Sequence, residues 1–200
     1  MGQDLKMGNH LHSDELSAGV DEVGRGPLAG NVVAAAVILD TNKPIVGLAD
    51  SKKLTEKQRL EFYKEIQDKA VCYSIARSTV TEIDSINILQ ASLLAMVRSA
   101  QSLRIQPQFI YVDGLHLPVW NYPSQAVVKG DSLLPSIAAA SVVAKVARDK
   151  EMIAMDQLYP GYGFARNKGY PTKLHIRALK CMGPCAIHRL SFAPVSASIK

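Results

Sequence analysis

GVDEVGRGPLAGNVVAAAVIL, residues 19–39, is the stretch from which the fold of this chain can be read. A short strand, Ala18 to Val23, carries two adjacent acids, Asp21 and Glu22, near its end. Gly24-Arg25-Gly26-Pro27 follows as a turn, because glycine admits positive φ and proline fixes its own. Val32 to Leu39 is then an unbroken apolar run rich in valine. It suits a buried strand, although periodicity alone leaves a buried helix open.

Downstream of this stretch, strands and helices alternate. Thr55 and Gln58 form a Thr-x-x-Gln capping box, which predicts a helix start there, with Leu60, Tyr63 and Ile66 on its inner face. Val71 to Val80 alternates as a strand. A long helix is expected over Asn87 to Leu103, with Leu89, Leu93, Met96, Ala100 and Leu103 on one stripe. Phe109 to Val112 is a short strand ending on Asp113, and Ala126 to Val128 is another, ending in Lys129-Gly130-Asp131. Pro135 to about Tyr159 reads as a helix entered on proline and stopped by Pro160. Gly161 to Pro171 reads as a Gly- and Tyr-rich loop. Thr172 caps a last helix, with Gly183-Pro184 as its stop. The mixture defines an α/β domain. The expected organisation is a flexible polar tail over residues 1–16 and one domain over 17–200.

Composition narrows the class. The chain has 200 residues, 48% of them hydrophobic and 20% charged, enough apolar mass for a real core. The net charge of +5 suits a polyanionic partner but barely favours nucleic acid by itself. Cys72, Cys181 and Cys185 are an odd number in a chain of this size, which argues against a disulfide framework. Cys181 and Cys185 lie near His175 and His188, but a single pair lacks the second pair of a structural zinc site, so reduced thiols beside the last helix are the plainer reading. No apolar signal region opens the chain. The longest run without a polar residue, Val32 to Leu39, is too short to span a bilayer. A cytoplasmic monomer with no membrane partner is expected.

The chemistry is carried by acids at strand ends: Asp21 and Glu22, Asp113, and Asp131. In open α/β sheets, sites gather at the carboxyl ends of strands. Neighbouring carboxylates repel, and burying them unpaired is costly, so a hard divalent cation is the natural counter-charge. Mg²⁺ takes oxygen ligands, uses one or two carboxylates plus substrate phosphate, and serves phosphodiester hydrolysis. Acids at strand ends are also often turn or cap residues, and capping alone would account for Asp131. Asp21 and Glu22 face opposite sides of a regular strand. Both can serve one centre if the strand ends or twists there, or if Glu22 contributes its backbone oxygen.

Gly24-Arg25-Gly26-Pro27-Leu28-Ala29 also matches the dinucleotide fingerprint G-x-G-x-x-A. A lone match is weak. Two acids stand just before this loop, and the following segment reads as strand where the fingerprint requires a helix.

Gly19-Val20-Asp21-Glu22-Val23-Gly24-Arg25-Gly26-Pro27-Leu28-Ala29-Gly30 resembles the N-terminal signature of the type 2 ribonucleases H, specifically ribonuclease HII. Further blocks are similar and follow in order. They are Asp50-Ser51-Lys52-Lys53-Leu54, Val112-Asp113-Gly114, and Lys129-Gly130-Asp131 with Ala138-Ala139-Ala140-Ser141 and Ala144 to Asp149. Tyr162-Gly163-Phe164 with Lys168 to Thr172, and His188 to Phe192 through Pro194-Val195, complete the set. The likeness runs from about Gly19 to Val195.

That resemblance implies a ribonuclease H-like fold, a five-stranded mixed sheet flanked by helices, with the first and fourth strands adjacent so that Asp21 lies beside Asp113. It implies an acidic metal and catalytic site of Asp21, Glu22, Asp113 and Asp131, holding Mn²⁺ or Mg²⁺. The implied substrates are RNA–DNA hybrids and duplex DNA with embedded ribonucleotides, cut on the 5′ side of a ribonucleotide to leave 3′-hydroxyl and 5′-phosphate ends. The family's usual roles are ribonucleotide removal and primer clearance. Gly24, Arg25 and Gly26 would read the 2′-hydroxyl, the group that distinguishes RNA from DNA. Tyr170 would stack on the sugar, although by sequence alone it is a partly buried loop tyrosine. Lys52 and Lys53, with Arg166, Lys168 and Lys173 around the last loop, suit phosphate contacts, but a lone surface lysine is more often only solvated. Lys145, Arg148 and Asp149 read as structural or rim residues. The sister group, ribonuclease HIII, usually carries an extra N-terminal substrate-binding domain, and only about sixteen polar residues precede the first strand here. A binding module that kept the fold and lost the chemistry would have lost one of the four acids.

Overall fold

The computed structural model describes residues 16–48 and 54–199. The expected tail over residues 1–16 therefore falls, apart from Leu16, outside the described residues. Five strands form one sheet: β1 (Ser17–Val23), β2 (Val32–Ile38), β3 (Cys72–Ser78), β4 (Phe109–Asp113) and β5 (Ser124–Val127). Their order is β3-β2-β1-β4-β5. The β1–β2 and β2–β3 pairs are antiparallel, while β1–β4 and β4–β5 are parallel. This is the mixed five-stranded sheet expected of a ribonuclease H-like fold.

Helices cover both faces. Alternate residues of the central strands, Ala18, Val20, Ala34 and Ala36, pack with Ala91, Ala95, Met96 and Ala100 of α2 (Val80–Gln101). On the opposite face, Ala35 and Val37 meet α3 (Pro135–Leu158) and Ile66 of α1 (Glu56–Lys69). β2 is buried along its whole length, as a central strand with helices on both faces must be. The first turn of α3 presses directly on β1. A Cβ at Gly19 would stand 2.1 Å from the Ser136 carbonyl carbon, so only glycine admits this approach. The short helices α4 (Phe164–Asn167), α5 (Lys173–Met182) and α6 (Ala193–Ser196) complete the fold.

Helix starts follow their caps. Thr55 and Gln58 form both halves of the expected capping box, and Thr172 caps α5. Three expectations are corrected. Leu60 is 39% exposed, and Phe62 packs into the core with Tyr63 and Ile66 in its place. The strand expected to reach Val80 ends at Ser78, because Thr79 and Glu82 form a second capping box that starts α2. The helix expected from Asn87 is the second part of a kinked α2. Asn87 takes φ 66, ψ 166, and its side chain caps the N–H groups of Leu89 and Gln90 at 3.0 and 3.1 Å. α2 is long and apolar enough to cross a membrane by length and composition alone, yet here its small residues are packed against the sheet.

Candidate active site

The acids are brought together by the parallel pairing of β1 and β4. The paired register runs to Val20 opposite Val112, so Asp21 and Asp113 are the next residues along adjacent strands. Asp131 follows β5 in a 3-10 turn, Gly130–Ser132, entered through Lys129 in the left-handed region. Its N–H donates to Asp113 Oδ1 at 3.4 Å. Gly130 lets this turn settle onto Asp113 and Ile137, since a Cβ there would lie 2.5 Å from Ile137 Cδ1.

Asp21, Glu22, Asp113 and Asp131 line one cleft of about 420 Å³, with Arg59, Ser141, Lys145 and Tyr170 around them. Asp21 and Glu22 keep the opposite orientations of a regular strand. Asp21 turns to the α3 side, where it bonds with the Ser141 side chain. Glu22 also borders a groove on the α2 side, with Leu89, Leu93 and Met96. Asp113 belongs to both surroundings and lies between them. The two adjacent acids thus straddle the end of the sheet, and the cleft wraps around it.

Electrostatics set these groups apart from ordinary surface acids. Burial, then the charges of Glu22 and Asp113, push the Asp21 carboxyl well above its usual range. Burial also raises Glu22, opposed by the Arg25 guanidinium at 3.3 Å. Oxygen donors held together against their own repulsion have the chemistry that a hard divalent cation relieves. Among the described residues, no group of three or more carboxylate, imidazole or thiol side chains is arranged to hold a metal ion by itself.

The glycine turn beside the acids is held from behind. Arg189 is wholly buried and donates to the carbonyls of Gly24, Arg25, Pro27 and Gly30, at 2.6 to 3.0 Å. Arg148, 1% exposed, donates to Ala29, Asn31 and Lys168. A Cβ on Gly24 would strike the Arg148 guanidinium at 2.2 Å. With its carbonyls engaged inward, the turn leaves the N–H groups of Gly24, Arg25 and Gly26 without a partner among the described residues. The Tyr170 ring stands beside Gly26, 3.5 Å from where its Cβ would be.

The cleft therefore gathers the four expected acids and Tyr170, with the glycine turn at its side. Lys52 and Lys53 lie outside the described residues. Arg166 and Lys173 border separate grooves and do not join the acids. Three polar cleft residues escaped the sequence reading as site residues: Arg59, Ser141 beside Asp21, and Lys145, which pairs with Asp149 at 2.7 Å. Arg148 is structural, as read, but is no rim residue. The signal was available, because Ala144, Arg148 and Met152 share one buried stripe of α3 at a spacing of four.

Acids at the carboxyl ends of β1 and β4 and just past β5 lie where open α/β sheets gather their sites, and the sheet order is that of the ribonuclease H-like class of fold. The ribonuclease HII family model matches residues 18–195, and the chain belongs to that family. The ribonuclease H2 of Pyrococcus horikoshii OT3 superposes with a TM-score of 0.75 at 30% identity, covering 91% of this chain and 96% of that one. The ribonuclease HII in a complex with PCNA from Archaeoglobus fulgidus gives 0.71 at 24% identity, covering 88% and 95%. Bst-RNase HIII, solved with Mn²⁺, shares the fold with a TM-score of 0.74 at 18% identity, covering 92% of this chain and 69% of that one. The activity of this chain is accordingly that of an RNase H-type endonuclease on RNA–DNA hybrids.

Proposed function

We propose that this enzyme is a metal-dependent ribonuclease HII that also nicks duplex DNA on the 5′ side of a single embedded ribonucleotide, leaving 3′-hydroxyl and 5′-phosphate ends. The observation that carries the reading is the juxtaposition of four carboxylates with a turn whose carbonyls point inward and whose N–H groups have no partner among the described residues. Asp21, Glu22, Asp113 and Asp131 would hold Mn²⁺ or Mg²⁺. When bound, such an ion supplies hydroxide at neutral pH and neutralises the leaving oxygen. A divalent cation of this kind uses one or two carboxylates together with substrate phosphate, so a complete protein cage is not required.

The remaining roles belong to the chain itself. The N–H groups of Gly24, Arg25 and Gly26 suit the ribose 2′-hydroxyl, which a deoxyribose lacks. Tyr170, 41% exposed, offers a ring for the sugar at the junction. Arg59 and Lys145 face the cleft and suit the phosphates flanking the cut, and Lys52 and Lys53 are assigned the same role. With it we propose ribonucleotide removal and primer clearance as the roles of the enzyme, acting as a cytoplasmic monomer.

The test is a labelled duplex with one ribonucleotide, incubated with Mn²⁺ or Mg²⁺ beside an all-DNA control and the Asp113→Asn variant. A single nick 5′ to the ribonucleotide, absent from both controls, is expected. Asp113→Asn should fold as the parent does while losing cleavage, and substantial residual cutting would sink the site. Binding without a nick under either metal would favour a module that holds hybrids without cutting them.

A further inference from the structure

Tyr170 is anchored through its backbone to a buried pair of histidines. His175 of α5 is 0% exposed and His188 is 2% exposed. A chain of hydrogen bonds runs through both rings, and one backbone group fixes its direction. The Cys185 N–H can only donate, and His188 Nδ1 lies 2.9 Å from it. That nitrogen is therefore bare, and His188 carries its proton on Nε2. His188 Nε2 is 3.0 Å from His175 Nε2, which must then accept. His175 in turn carries its proton on Nδ1, 2.9 Å from the Tyr170 carbonyl.

The opposite set of tautomers is disfavoured. His188 Nδ1–H could reach the Cys185 Sγ at 3.2 Å or its carbonyl at 3.3 Å, but only by confronting the Cys185 N–H with another N–H at 2.9 Å. Aromatic rings close the surroundings, with Tyr162 4.9 Å from His188 and Phe164 set edge-on at 5.3 Å from His175. Burial pushes both imidazoles down, His188 to about 4, so the pair stays neutral near pH 7. The Tyr170 carbonyl also accepts from the Thr172 N–H at 2.8 Å, the residue that caps α5.

We propose that His175, with its tautomer set by His188, is the positioning residue of Tyr170: its Nδ1–H holds the Tyr170 backbone so that the ring stands over the cleft beside Gly26. This rests on the reading in which Tyr170 packs on the substrate sugar. The pair itself touches neither substrate nor acids, and it acts through one carbonyl.

A double-mutant cycle tests it, read as kcat/KM on the single-ribonucleotide duplex. Tyr170→Ala should lose roughly tenfold or more, and His175→Leu should lose a comparable factor in the parent but less than about twofold further in Tyr170→Ala. His175→Asn, whose side-chain amide can donate from the place of Nδ1, should recover to within about threefold of the parent. A folded His175→Leu that cuts like the parent, or that loses the same factor in both backgrounds, would overturn the proposal. Should His175→Leu fail to melt cooperatively, His188→Asn replaces it under the same criteria. That variant still accepts the Cys185 N–H but leaves His175 without its tautomer-setting donor. If Tyr170→Ala itself cuts like the parent, the reading of Tyr170 falls and the proposal with it. An additive cycle with an active role for Tyr170 tells against the proposal alone.

Discussion

Asp21 brings an ionisable carboxyl into a nearly closed environment, where burial and the charges of Glu22 and Asp113 favour its protonated form. Its folded pKa lies above the unfolded value, so its contribution to stability is present at low pH and lost as pH rises through the folded value. At pH 7, where the unfolded chain carries this group ionised, the buried carboxyl therefore destabilises the metal-free protein. Asp21→Asn keeps the oxygen that accepts the Glu22 N–H at 2.7 Å and removes the charge. It should raise Tm at pH 7, by about 2–4 °C for each kcal/mol relieved, while abolishing cleavage. A fall in Tm on calorimetry would mean that the carboxylate anchors the fold. His188 has the opposite sign. Its folded value of about 4 lies below the unfolded 6.5, so its contribution is full above 6.5 and is lost as pH falls towards 4. Tm measured across that window should fall less steeply in His188→Asn than in the parent, and parallel profiles would refute this. The acids were legible in the sequence because a carboxylate at the end of an apolar strand is out of keeping with its surroundings. Arg189 was not legible as the clamp of the turn, because its partners are carbonyls, which every residue carries.

Element boundaries were legible wherever a side chain sets them. The Thr55 box, Pro135 at the head of α3 and Thr172 before α5 all act through bonds within a few residues. The start of α2 could have been read the same way from Thr79 and Glu82, but the alternation of Val71 to Val80 ran across that signal. Helical spacing turns Leu60 inward, but which face of α1 meets the core is decided by the sheet, and Leu60 is 39% exposed. Packing between elements is most exposed to test at Gly19. Any side chain there would drive β1 from the first turn of α3, where the gap to Ser136 and Ile137 is set backbone to backbone. Gly19→Ala should destabilise the fold by about 3 kcal/mol or more, beyond the usual range for overpacking, because no rotamer change relieves a backbone contact. Denaturant unfolding measures this, and a loss under about 1 kcal/mol would mean that α3 can slide along the strand.

At the scale of the molecule, the site is assembled from segments far apart in sequence. Asp21 and Asp113 meet through a parallel pairing, and neither strand alone specifies the other as its neighbour. Periodicity yields strands, whereas the adjacency of β1 and β4 follows only from the likeness of ordered motifs to a known family, and the full order β3-β2-β1-β4-β5 is visible only in the fold. Because the acids lie on separate segments, a cation bound between them should tie the whole fold together. At 100 times its Kd, Mn²⁺ should stabilise the protein by about 2.7 kcal/mol, roughly 5–10 °C in Tm. EDTA should reverse the shift and Asp113→Asn should lack it, and an equal shift in that variant would place the ion elsewhere. The grip of Arg189 on the glycine turn has a further consequence during synthesis. Gly24 and Arg189 are 165 residues apart, about 8–30 s of translation at ~5–20 residues per second. The turn emerges from the ribosome early and waits for its clamp until nearly the whole described domain has been made. A nascent or stalled chain carries Asp21, Glu22, Asp113 and Asp131 before it carries the group that arranges the turn beside them. On the role proposed for that turn, the capacity to tell ribose from deoxyribose is the last property the polypeptide acquires.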